Sequence, residues 1–272
     1  MRSRRFSGFG LLLGAVLLSA LGLLGFTAYQ RLSSASDGEP NLLVHDVHVA
    51  LTHLPTSGSV MHTIYLNREG ATLFPGNDDS ARNVSSIVQS TGKAVVHIPA
   101  FEGSAQTWSA FRACVRSKFL PFDISIVEER PVSGGYIMAV IGGTPEDLGA
   151  VHDEHGGAEH THDVLGLAPF NGAAVPDAVV LIFAHRMNER SSSMCETAGM
   201  EIAHAYGLDH ERNCRDLMTY MPPCGPRSFV NATARCGELA DRNCEGGSET
   251  QNSFAKLLAA VGPASPGSVI AR

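Results

Sequence analysis

Apolar and polar residues alternate in a way that divides the chain into an apolar leader, a region of short strand-length runs, and a polar end rich in cysteine. The stretches 63–66 and 94–98 are short β-branched runs, and 123–127, 136–141 and 178–183 follow as apolar runs bounded by Pro and Gly. Runs that are apolar without alternation predict strands covered on both faces, and hence an α/β fold around a mixed, mainly parallel, twisted sheet. Pro99 and Gly103 lead into a helix that Ser104 can cap, and Trp108, Phe111 and Val115 recur at i, i+3 and i+7 as one buried stripe. Residues 166–170 read as a short edge strand. A second strong helix is predicted after Arg190: Ser193 and Glu196 have the spacing of a capping box, and Gly207 sits where a helix usually stops. A last helix is predicted over 250–261.

The leader changes the picture of where the chain resides. Arg2, Arg4 and Arg5 precede a 17-residue apolar run, 10–26, and Ser33-Ser34-Ala35 offers a late cleavage site. That length lies between a signal-peptide core and a minimal membrane span, so residues 1–35 read as either a signal peptide or an N-terminal anchor of an exported chain, secreted, periplasmic or extracellular. One domain is expected over 36–262, with 263–272 as a disordered tail. The chain carries 20 basic against 27 acidic residues, a formal charge of −7, and the leader holds four of the arginines and no acid. Nucleic acid is therefore excluded as a partner. Six cysteines follow the leader, which in an exported chain reads as up to three disulfides; a four-cysteine zinc site is the rival, but no C-x-x-C pair occurs.

The candidate chemistry lies in "MEIAHAYGLDH", residues 200–210, and in "DLMTYM", residues 216–221. Positions four apart on a helix share a face, so residues 200 and 204 can point at one metal ion. Gly207 can take a left-handed turn that ends the helix and returns His210 to the same point. These residues resemble the zinc-binding HExxHxxGxxH motif and Met-turn of the metzincin peptidases, matching at Glu201, His204, Gly207, His210, Met218 and Tyr220. The resemblance implies a metzincin-like fold with an active-site helix, a Met-turn and a C-terminal helix. It implies Zn2+ as cofactor, with His204 and His210 as ligands and Glu201 as general base for peptide hydrolysis by zinc-activated water. Met218 would form an apolar floor beneath the metal, and Tyr220 would assist as outer ligand or hydrogen-bond donor.

The motif departs from the family at its first ligand, where Met200 replaces histidine. A thioether is a weak zinc ligand. Two outcomes stay open: an exported metallopeptidase acting on a peptide or protein substrate, or a catalytically inactive protein that uses the same cleft to bind. Met with two His also suits Cu(I). The acidic segment 145–163 carries His152, His155, His160 and His162, an auxiliary set of metal ligands or simply a solvated loop. Cys195 and Cys214 flank the motif, and a disulfide between them would pin the third-ligand loop to the helix.

Overall fold

The computed structural model describes residues 61–149 and 164–265. The leader, the cleavage site and His152, His155, His160 and His162 lie outside the described residues, as does the tail from 266.

The predicted sheet forms. Strands β1 (Thr63–Asn67), β5 (Ser125–Val127), β6 (Ile137–Ile141), β7 (Gly166–Leu167) and β8 (Val179–Ile182) make one sheet in the order β5-β1-β6-β8-β7. All its pairings are parallel except that of β7, which runs antiparallel to β8 with Gly166 opposite Ile182. Every residue of β6 and β8 is buried, because both faces of the sheet are covered. Successive side chains of a strand point to opposite faces, and the two cores follow that rule. Ile137, Ala139 and Ile141 belong to one core, and Tyr136, Met138 and Val140 to the other.

The first face is covered by two long helices, α2 (Ala105–Phe119) and α3 (Ser191–Ala205). Helix α2 starts at Ser104, whose hydroxyl accepts the Thr107 N–H at 3.0 Å, and it buries Trp108, Phe111, Val115 and Phe119. The Cys114–Cys195 disulfide joins α2 to α3. On the second face lies a small sheet of β3 (Val84–Ser85), β2 (Ala71–Pro75) and β4 (Val96–Ile98), in that order, with the short helix α1 (Ser86–Ser90) packed on it. Toward the C-terminus, β9 (Ala234–Arg235) pairs with β10 (Thr250–Gln251), and α4 (Ser253–Val261) follows. The tail expected to be disordered from 263 is instead bound at its start: Phe122 bridges Pro263, and Ala264 N–H donates to Pro121 at 3.0 Å. Among the described residues no helix is long and apolar enough to cross a membrane.

The polar segment 76–86 holds the second layer to the first. Partly buried Asp78 accepts the Val179 N–H at 3.0 Å and the Ser86 N–H at 3.4 Å, and also takes the Ser86 hydroxyl. Burial outweighs these donors and pushes its carboxyl up to about 6. A carboxyl raised in the folded state favours folding while it is protonated, and loses that advantage as the unfolded carboxyl ionises first. Stability is therefore expected to fall between pH 3.8 and about 6, by roughly 2–3 kcal/mol. Urea denaturation across this range checks it: Asp78→Asn should be less stable at acid pH and should lack that component of the slope.

Candidate metal centre

Helix α3 positions the site because it is buried nearly all round, from Met194 and Cys195 through Ala198 to Ala205. It begins one residue after Arg190, as predicted, but no side chain caps it. The expected capping box does not form: Ser193 lies inside the first turn, and Glu196 instead pairs with Arg227 at 3.4 Å. Two non-glycine residues just before the helix, Asn188 and Glu189, take positive φ of 49° and 53°.

The helix ends as its sequence indicates. Gly207 has φ 83°, its N–H donates to His204 O at 2.7 Å, and Leu208 N–H reaches back to Ala203 O at 3.1 Å. A Cβ on Gly207 would stand 2.7 Å from the Ala173 carbonyl carbon, so both the backbone angle and the space require glycine. Lys256 of α4 donates to the Gly207 carbonyl, and burial lowers its ammonium from the ordinary lysine value.

The turn brings the two histidines together. His204 Nε2 and His210 Nε2 are 2.9 Å apart, with ring centroids at 4.5 Å. The other nitrogen of each ring faces an acceptor: His204 Nδ1 donates to Leu208 O at 2.7 Å, and His210 Nδ1 to Glu238 Oε1 at 2.8 Å. The tautomer in which Nδ1 donates in both rings leaves each Nε2 lone pair turned toward the other. Two imidazoles on a tetrahedral zinc at 2.0–2.1 Å put their nitrogens about 3.3 Å apart. The donor pair fits a metal ion after a small relaxation, and its outer hydrogen bonds are those that metal-binding histidines make.

The remaining predicted residues lie on α3 or in the segment that follows it. Met200 lies one turn before His204, nearly buried. Met200, Glu201 and Tyr220 line a cleft of about 260 Å³ together with Gly166, Thr197, Thr219 and Arg227. Glu201 is pressed against the edge strand β7: a Cβ on Gly166 would lie 2.8 Å from its Oε1. The Tyr220 ring lies 4.3 Å from that of His210, and Phe170 sits 5.0 Å from His204 on the other side. Met218 is fully buried. Its N–H is held by Asp216 Oδ1 at 2.8 Å, and its carbonyl accepts from Glu211 N at 2.9 Å. Asp216 also accepts Val230 N at 2.7 Å and the Ser253 hydroxyl at 2.5 Å, tying the Met218 turn to α4. Burial, and then the neighbouring Asp216 charge, raise the Glu211 carboxyl.

The cysteines pair otherwise than expected. Cys195 faces α2 and bonds Cys114, leaving Cys214 to close a short loop with Cys224, while Cys236 bonds Cys244. The Cys195–Cys214 link is thereby excluded, because the helix turns Cys195 into the inter-helix core, with its side chain fully buried. Asp209, Cys236 and Cys244 lie close enough to hold a metal, but both sulfurs are in the disulfide. Asp209, His210 and Glu238 also cluster, but Arg242 binds both carboxylates, at 2.6 Å each.

Sequence reading missed Glu238, Arg242 and Asp209. Their trace is an acid–base pair four apart inside a short Cys-to-Cys ring, "CGELADRNC". Burial alone would push Glu238 up, but the His210 and Arg242 hydrogen bonds hold its carboxyl down to about 2. No family model matches the chain, and no curated protein matches it.

Gly207→Ala should cost about 2 kcal/mol or more, from the αL backbone and the collision with Ala173. Guanidinium denaturation checks this, with a wild-type midpoint as the outcome that would refute it.

Proposed function

We propose that this chain is an exported metzincin-like metallopeptidase that binds zinc through His204 and His210 and uses Glu201 as general base. One observation supports it above others: two Nε2 atoms converge to 2.9 Å while both Nδ1 protons are committed to acceptors. His204 and His210 would hold the zinc, which would supply polarisation of a carbonyl and acidification of water. The chain's own residues supply the rest. Glu201, in the cleft beside the edge strand, takes the proton from the attacking water and returns it to the leaving amine. The Tyr220 hydroxyl, on the same cleft, donates to the oxygen that becomes charged. Strand β7 bounds the sheet, with Leu165 half-exposed beside it, so an extended peptide can pair along it. Three disulfides are compatible with an exported chain.

Met200 favours a second reading, a non-catalytic binding protein with the same cleft, since a thioether there adds little to zinc affinity. Zinc content and proteolysis separate the two. The peptidase reading expects about one tightly held zinc and cleavage that chelators stop. Glu201→Gln should keep the zinc and lose cleavage by a hundredfold or more, and Met200→His should tighten zinc tenfold or more. A well-folded chain that takes up no zinc and cleaves nothing supports the binder.

A further inference from the structure

The two histidines are oriented in different ways. His204 finds its Nδ1 acceptor four residues on, at Leu208 O, within the turn that ends its own helix. His210 finds its acceptor 28 residues away, on a separate loop. That loop is closed by the Cys236–Cys244 disulfide, across a sequence separation of 8.

Further bonds of the loop support the same placement. Gly237 N–H donates to the His210 carbonyl at 3.1 Å, and Arg242 N–H donates to Cys236 O at 2.8 Å. Arg212 Nη1 donates to the Glu238 carbonyl at 2.8 Å. Arg242 Nη2 meets Glu238 Oε1, the atom that accepts from His210, at 2.6 Å. The same guanidinium holds both oxygens of Asp209, at 2.6 and 2.7 Å, and Asp209 is the residue before His210. The imidazole is fully buried and the Glu238 side chain nearly so, so the ion pair and hydrogen bonds act with little screening by water. A carboxylate behind a metal-ligating imidazole fixes its tautomer and plane and raises its basicity.

We propose that Glu238 is a positioning residue for His210, delivered by the Cys236–Cys244 ring, so that the metal affinity of the site depends on that disulfide loop. The inference rests on the two-histidine metal site. It adds that one of the two ligands is pre-oriented by a loop that the Cys236–Cys244 disulfide closes. His204 needs no such support.

The test uses the full oxidised chain, stripped of metal and titrated with cobalt(II), read by its visible ligand-field bands, and with zinc against a competing chelator. Glu238→Ala should weaken both metals ten- to hundredfold and alter the cobalt spectrum. Glu238→Asp should recover part of the loss, and Glu238→Gln, nearly isosteric, should fall between. Cys236→Ser/Cys244→Ser should weaken binding in the same direction. If Glu238→Ala does not fold, Glu238→Gln carries the test. Wild-type affinity and spectrum in Glu238→Gln and Glu238→Ala would overturn the positioning role alone. A wild-type chain that takes up neither metal overturns the metal site, and this inference with it.

Discussion

Two buried imidazoles whose Nε2 atoms stand 2.9 Å apart are the constraint on which the rest of the site depends. Nothing in a helix alone would bring them there, since His210 lies beyond its end. The chain must turn back within three residues, which takes the left-handed backbone of Gly207 and leaves helix-end carbonyls to be satisfied. Lys256 meets one of them, and Gln251 holds Asp209 through both its backbone N–H and its carbonyl, at 2.8 Å each. The C-terminal segment is therefore part of the site although it contributes no candidate ligand.

Rigidity reaches this turn from the sheet. Helix α3 packs on β6 and β8 and is joined to α2 by Cys114–Cys195, so the turn that carries His210 stands on a platform with little room to shift. The Met218 turn is fixed separately, by Asp216, whose carboxylate gathers donors from three segments of the chain. Burial raises that carboxyl too, and the donors act against the rise.

Local signals carried much of the fold. The apolar runs at 136–141 and 178–183 read as strands covered twice, and they hold the central strands 137–141 and 179–182. Ser104 and Gly207 announced a helix start and a helix end by backbone chemistry that needs no tertiary context. The small sheet of β2, β3 and β4 was harder to read, because its strands are short and it forms by packing on the second core. Cys195 and Cys214 suggested a partnership by closeness along the chain, which says nothing about the direction a helical side chain points. Ser193 and Glu196 have the right spacing for a cap, but the N-cap position falls at Arg190, three residues too early for it. Glu238 was illegible for a similar reason: its meaning comes only from contact with His210, across 28 residues of intervening chain.

The two short cysteine rings, Cys214–Cys224 and Cys236–Cys244, have a consequence for durability. Each encloses an exposed stretch, Pro222 and Pro223 in one and Leu239 in the other, where an attacking protease would find backbone to cut. A single scission inside either ring leaves both new ends covalently tethered a few ångströms apart. A molecule nicked there would gain only the mass of one water and keep most of its packing, and its two pieces would part only after reduction.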